Sequence, residues 1–317
     1  MDEKGFVEGV RRYMSQLREE KRYSSAKSYQ DALNSFIKYS GTENISYSDI
    51  NIPYTYINKD TLRRYEAYLL EKGCMCNTVS TYMRRIRCVY NKAIEDGDAE
   101  YIPGLFQGVF TGVESKRKKS LSLENQHKLM TVKVESEVLR ETQLVVCLLF
   151  QYAGMSFVDF AHLKERNIKN GILDYNRQKT GTPMRLEILD TAELMRKELM
   201  GDKKPASGYL FPFLSGTKTG YEAYLEYNAA LSRFNRNLKA LKKAAGIASD
   251  VTSYTIRHSF AMALKEQNVP IEMISELLGH KSIKTTQIYL RSFSLEKMTE
   301  VNSTCFGCVY NYVSKVG

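Results

Sequence analysis

Four residues in the last half of the sequence carry side chains that suit one reaction centre. His280 and Tyr289 share the stretch LLGHKSIKTTQIYL, Arg257 lies upstream in SYTIRHSFAMALK, and Lys179 lies further upstream in YNRQKTGTPMRLEIL. A tyrosine phenol ordinarily ionises near pH ~10, so using it as a nucleophile requires a base or positive charge beside it. An arginine's planar fork can hold two oxygens of an anion and oppose charge that builds up there. A lysine at a turn can hand over a proton as a general acid. Taken alone, the 277–290 stretch is equally an ordinary helix end followed by another helix, and the rest of the chain decides between the two.

The elements that must position these groups follow from periodicity and punctuation. Residues 253–290 read as a helix with Arg257-His258, a turn at Asn268 to Pro270, a second helix ending at Leu278-Gly279-His280, and a third with Tyr289. NIKNGILDYNRQKTGTPMRLEIL reads as two or three short β-runs, with turns at Asn170-Gly171 and Gly181 and Lys179 at the second turn. QYAGMSFVDFAHLK places Gly154, Ser156 and Asp159 at a helix start, and a helix from near Ser122 continues through ETQLVVCLLFQYAG. A later helix buries Leu231, Phe234, Leu238, Leu241 and Ala245 and turns Arg233, Arg236, Lys239 and Lys243 the other way.

The first hundred residues read as a four-helix unit. Ser24 or Ser25 caps one helix, stopped at Gly41; Asp60 caps TLRRYEAYLLEKG; Asn77 caps TVSTYMRRIRCVYNKAIEDG, closed by Gly97. On this fourth helix Arg84, Arg85, Arg87 and Lys92 lie off the apolar face with no acid from Thr78 to Ala93. Either they form a solvated face or they contact phosphates. YIPGLFQGVFTGVESKRKKS then reads as a linker ending in Lys116, Arg117, Lys118 and Lys119, a patch that would wrap an anion or simply be solvated. The expected class is mainly α with a small antiparallel β-sheet: a helical bundle over 1–102, a basic linker over 103–119, and an α+β domain with a C-terminal tail over 120–317.

The 317 residues suffice for two domains, and a formal net charge of +10 favours a polyanionic partner, nucleic acid before membrane. The N-terminus has no continuous apolar core of a signal peptide and no run reaches ~18 apolar residues, so a cytoplasmic protein is expected. Its six cysteines then read as reduced thiols. Cys74 with Cys76 and Cys305 with Cys308 admit a shared metal site, but neither pair lies beside a histidine and no metal is expected.

R-H-S-F-A, then L-G-H, then T-T-x-x-Y, preceded by a K-T-G turn and a G-M-x-x-x-D box, resembles the tyrosine recombinase (phage integrase) family over about residues 120–295. The N-terminal helices resemble that family's SAM-like core-binding domain, and G-M-S-F-V-D looks most like integrases and invertases of Bacteroidetes mobile elements. The resemblance implies a site-specific DNA recombinase acting by integration, excision or inversion. Tyr289 would attack a DNA phosphodiester and form a 3′-phosphotyrosyl link, releasing a 5′-hydroxyl that later attacks in reverse. Because the covalent intermediate conserves the bond energy, no cofactor is implied.

On this resemblance Arg257 binds the phosphate, His280 donates to it, Lys179 protonates the leaving oxygen, and Asp159 orients cations. The alternatives are a surface salt bridge for Arg257, a helix C-cap contact for His280, a solvated turn for Lys179 and a helix N-terminal acid for Asp159. His258, beside Arg257, is read as structural. Two positions depart from the pattern. Ser156 stands where the family has its first arginine, and Tyr254 where it has the histidine of H-x-x-R. Arg177 is expected to supply the missing cation, as it would share a strand face with Lys179; Arg166 and Arg140 are weaker candidates.

The implied partners are double-stranded DNA, gripped in part through Arg84, Arg85, Arg87, Lys116, Arg117, Lys118, Lys119, Arg233 and Arg236, three further protomers in a homo-tetramer, and an accessory DNA-bending protein. No membrane partner is implied. The tail after Tyr289 would dock on a neighbour or pack in cis. The chain leaves no room before its first helices for an arm-binding domain, which favours recombination at one kind of core site, such as inversion between repeats. A catalytically decayed DNA-binding regulator or architectural protein is the alternative that Ser156 and Tyr254 motivate, and a topoisomerase-like nicking-closing enzyme would share the chemistry.

Overall fold

The computed structural model describes residues 5–42, 50–114, 120–203, 205, 208–290 and 298–304. The chain divides into two compact units, Met1–Lys116 with Gly220–Tyr224, and Arg117–Thr219 with Leu225–Gly317.

The first unit is built from α1 (Phe6–Glu19), α2 (Tyr23–Ser40), α3 (Lys59–Glu71) and α4 (Cys76–Glu95). Phe6, Val10, Met14 and Leu17 of α1 and Val79, Met83, Ile86 and Tyr90 of α4 recur at helical spacing and meet Leu33, Phe36, Leu62 and Tyr65 in one core. Leu105 and Val109 enter the same core, so the first half of the stretch read as a linker packs on this unit.

All three expected caps are displaced. α2 starts at Tyr23, one residue ahead of Ser24, and no side chain caps it, because the reversal at Lys21 (φ 57) brings the chain directly into the helix. Asn58 rather than Asp60 caps α3, its carboxamide oxygen accepting from the N–H of Asp60 and of Thr61. Asp60 sits instead in the first turn, where a carboxylate meets the positive helix end, and pairs with Arg64 at 2.7 Å. Asn77 lies inside α4, its side chain bound to the backbone of Glu114 by two hydrogen bonds of 2.8 Å. The stops hold: Gly41 takes the left-handed conformation (φ 74) that ends α2, and Gly73 and Gly97 do so beyond α3 and α4.

The second unit opens with α5 (Leu123–Thr131), capped by Ser122, whose Oγ accepts from Asn125 N. The single helix expected here is two: α5 ends at Thr131 and α6 (Glu137–Gln151) begins after an extended segment, with Leu144 to Leu149 buried in succession. Then come α7 (Phe157–Ala161) and a three-stranded antiparallel sheet of β1 (Ile168–Lys169), β2 (Ile172–Asn176) and β3 (Pro183–Glu187), in the order β1-β2-β3. Lys169 pairs with Ile172, which leaves Asn170-Gly171 as a two-residue turn, and both take positive φ (52 and 74), as that hairpin demands. The rest is α8 (Asp190–Met200), α9 (Gly220–Ala244), α10 (Ser253–Glu266), α11 (Ile271–Leu277) and α12 (Ile283–Tyr289). Phe157, Phe160, Phe211, Phe234 and Leu238 gather in the core beneath α6, with Phe157 and Phe234 stacked at 4.7 Å.

Candidate active site

Arg257 is the centre of the arrangement. Thr252 caps α10 reciprocally with Thr255, and Ser259 ties α10 to the chain ahead of α5 by accepting from Leu121 N at 2.9 Å. Arg257, which α10 presents, is 3% exposed. Its Nη1 donates to the Gly154 carbonyl at 2.8 Å, and its Nη2 donates to the Leu278 carbonyl and lies 3.3 Å from His280 Nε2. The other ring nitrogen of His280, Nδ1, is 2.9 Å from Oγ1 of the fully buried Thr286, inside α12. Tyr289 is the last residue of α12.

A second buried cation adjoins the first. Arg177 Nη1 donates to the Gly279 carbonyl at 2.9 Å, one peptide along from the carbonyl that Arg257 holds. Its Nε faces Asp159 Oδ2 at 3.5 Å, an ion-pair distance, with both side chains buried. Asp159 also accepts from Ser156 Oγ at 2.6 Å and from the backbone N–H of Gln178 at 2.7 Å. Gly279 has φ 60, and a Cβ there would run into Met184 and come within 2.7 Å of Arg177 Cδ. Only glycine admits both the turn and the arginine.

Arg177 reaches the site by a route other than the strand face expected of it. β2 ends at Asn176, and Arg177 and Lys179 belong to the turn that follows, closed by Arg177 N to Thr182 O at 2.9 Å. They share no strand face: Arg177 is buried and Lys179 is exposed at the tip. What brings Arg177 to the site is Asp159 beneath it and the Gly279 carbonyl beyond it. Arg140 is committed elsewhere, to Glu198 at 2.6 Å and 2.9 Å, and Arg166 is exposed beside β1.

Ser156 precedes α7 and gives its hydroxyl to Asp159, so it adds no charge. Tyr254 is 48% exposed and meets the buried His258 edge to face at 4.6 Å. Behind the site, burial pushes the Tyr175 phenol above its ordinary value, Asp159 adding to the rise and Arg257 and Arg177 opposing it. That phenol therefore stays neutral.

The arginines read as DNA contacts separate. Arg84, Arg87, Arg233 and Arg236 are exposed. Arg85 is half-buried, its guanidinium 4.8 Å above the Tyr29 ring and bonded to Ser28 Oγ at 3.1 Å, which commits it to packing. Lys116, Arg117, Lys118 and Lys119 lie outside the described residues, as do Cys305 and Cys308. Among the described residues, Cys74, Cys76, Cys88 and Cys147 are free thiols, and no group of three or more His, Cys, Asp or Glu could hold a metal. No helix among them is long and apolar enough to cross a membrane.

Motif reading overlooked Thr286 and the three carbonyls of Gly154, Leu278 and Gly279. The T-T pair before Tyr289 signalled the first; backbone acceptors leave no signal in residue types.

The family model described as the phage integrase family matches residues 119–296, and that of the phage integrase SAM-like domain matches residues 5–103. The chain belongs to the phage integrase family. It is a tyrosine-type site-specific DNA recombinase by that membership. The chain is similar to tyrosine recombinase XerD of Listeria innocua, with 25% identity over 84% of this chain and 87% of the relative. Its fold is that of a lambda integrase solved as a tetramer bound to a Holliday junction (TM-score 0.66, 17% identity, 92% of this chain and 80% of the other). The Tn1549 transposon integrase, solved with a circular intermediate DNA, is similar in the same way (TM-score 0.65, 14% identity, 94% of this chain and 99% of the other).

Proposed function

We propose that this recombinase breaks and rejoins double-stranded DNA through a 3′-phosphotyrosyl bond made by Tyr289. The phenol gives its proton to water, its oxygen attacks phosphorus, the bond from phosphorus to the 5′-oxygen breaks, and Lys179 gives that oxygen a proton as it leaves. In the second half the 5′-hydroxyl of another strand attacks the phosphotyrosine, its proton returns to Lys179, and the tyrosine leaves as a phenolate that takes a proton back from water. Arg257 and His280 hold the non-bridging oxygens. Arg177 supplies the second cation in place of the arginine that Ser156 replaces, acting from behind the Gly279 turn, and Asp159 keeps both the Arg177 side chain and the Lys179 turn in place.

The observation that carries this reading is the convergence of two buried guanidinia on consecutive carbonyls, Leu278 and Gly279, immediately before His280. Two permanently charged groups on neighbouring carbonyls, only one of them paired with the Asp159 carboxylate among the contacts described, suit an anion that bears two charged oxygens. The exposed Arg84, Arg87, Arg233 and Arg236, with the basic 116–119 patch, would grip phosphates. Four protomers on the DNA, an accessory bending protein, a cytoplasmic site of action and a place among Bacteroidetes-type integrases and invertases complete the reading.

Ser156 and Tyr254 favour a second reading, a relative that binds DNA without cutting it, because neither side chain brings a charge at neutral pH. One experiment separates the two. Wild type and Tyr289→Phe are expressed in cells carrying the native locus, denatured and captured, and any attached DNA is sequenced. Adducts at one sequence with wild type alone support the recombinase; reversible binding by both, with no adduct, supports the second reading.

A further inference from the structure

We infer that Thr286 is a positioning residue that fixes the ring of His280 and fastens it to the helix carrying Tyr289. The chain between the two, KSIKTTQI, has few apolar residues to hold it by packing, and yet Thr286 within it is fully buried. Its hydroxyl meets His280 Nδ1 at 2.9 Å, and it lies three residues before Tyr289 in the same helix. The backbone reinforces the link, since Leu290 N donates to the Thr286 carbonyl at 3.2 Å and His280 N donates to Ser275 O at 3.0 Å. The short spacing between His280 and Tyr289 thus spans a closed hydrogen-bonded loop: histidine ring, threonine hydroxyl, helix.

The hydroxyl is suited to the task for a chemical reason. Arginine offers only donors, so His280 Nε2, 3.3 Å from Arg257 Nη2, must present its lone pair there. The ring proton of the neutral imidazole is then on Nδ1, and Thr286 Oγ1 accepts it. When a phosphate oxygen reaches Nε2 and the histidine donates, a neutral ring must carry its proton on Nε2 instead. Thr286 then turns its own hydrogen toward Nδ1. A hydroxyl both donates and accepts, so it supports the ring in either state, whereas a carboxylate would hold one and an aliphatic side chain neither.

The tautomer and helix parts of this inference stand on the protein alone, and its effect on rate rests on the recombinase reading. The test compares full-length wild type, Thr286→Val and Thr286→Ser. Long-range nitrogen–proton NMR correlation on histidine-labelled, DNA-free protein reads the His280 tautomer, and hydrogen exchange reads the Leu290 amide. Wild type and Thr286→Ser are expected to hold the proton on Nδ1. Thr286→Val, of the same volume, is expected to populate both tautomers and to exchange Leu290 at least about tenfold faster, as a locally opened helix end does. A wild-type ring protonated on Nε2, or a Val variant unchanged in tautomer and exchange, overturns the inference. In the adduct assay, Thr286→Val should lower covalent complexes by about 10- to 100-fold, the range for losing an outer-shell partner of a metal-bound histidine, with Ser restoring them. Adducts in wild type undiminished by Val would refute Thr286 alone. No adducts in wild type would count against the recombinase reading, and the tautomer would still decide the role of Thr286.

Discussion

Replacing Arg177 by methionine should destabilise the second unit more than replacing the whole pair it forms with Asp159. In the single variant the Asp159 carboxylate keeps the Ser156 hydroxyl and the Gln178 N–H, but it loses its cation while its side chain is 1% exposed. Removing one partner of a buried pair costs about 3–5 kcal/mol, because the remaining charge is left without compensation. For a unit near 200 residues, each kcal/mol is worth roughly 2–4 °C of melting temperature, so the transition should fall by about 6–20 °C. In the double variant Arg177→Met with Asp159→Asn no charge remains. The asparagine oxygen can still accept from Gln178 N, and its amide can donate to Ser156 once that hydroxyl turns round. The double variant should therefore melt above Arg177→Met, with a coupling of about 2 kcal/mol in the cycle. Differential scanning calorimetry of the full chain, following the transition of the second unit, reads all four proteins. A single variant within about 2 °C of wild type, or a double variant less stable than Arg177→Met, would refute the reasoning. Because the single variant is compromised in folding, the catalytic part of Arg177 is better read from Arg177→Lys, which keeps the charge and loses the fork.

Tyr254→His places at a half-exposed position the histidine that the resemblance to the family implies there; adduct formation should rise, by up to about 10² if the histidine acts as a general base, and an unchanged yield would show the position to be idle. Gly279→Ala forces a Cβ into Met184 and Arg177 at φ 60 and should cost about 1–3 kcal/mol from the backbone alone, read as a lowered melting temperature together with lost adducts. Burial pushes the Cys147 thiol up to about 11, so native protein should leave it unalkylated near neutral pH while denatured protein does not. Glu198 is held below its ordinary 4.5 by its hydrogen bonds to Arg140. Its contribution is present above that value and lost as pH falls through the lowered folded one; with the pair about half exposed, Glu198→Gln should cost no more than ~0.5 kcal/mol in a melt at neutral pH.

The legible parts were those that repeat or punctuate. Leu231, Phe234, Leu238 and Leu241 disclosed the long helix by period, and Asn170-Gly171 disclosed the hairpin because two consecutive positive φ values suit few other pairs. Arg257 and His280, which the structure brings to 3.3 Å of each other, stood out because their order in the chain is itself a pattern, whereas Lys179 lies exposed at its turn. Helix caps were less legible: Asn58, Asp60 and Asn77 are all good capping residues, and which one caps depends on competing partners such as Glu114, distant in sequence. Arg177 was found on a mistaken geometry. Strand alternation does not extend into the turn, and its true anchors are a carboxylate 18 residues earlier and a carbonyl 102 residues later. Thr286 stood in view in the T-T pair, but its residue type gave no sign that its hydroxyl meets His280.

The two acceptors that hold Arg257 come from opposite sides of it in the chain. Gly154 lies 103 residues before the arginine and Leu278 lies 21 after it. A chain still emerging from the ribosome can make the first contact while the second is absent, and until Leu278 and Gly279 arrive neither guanidinium is aimed. Tyr289 is made later still. The fold thus postpones the assembly of its site until Leu278, Gly279 and Tyr289 have followed Arg257 out of the ribosome.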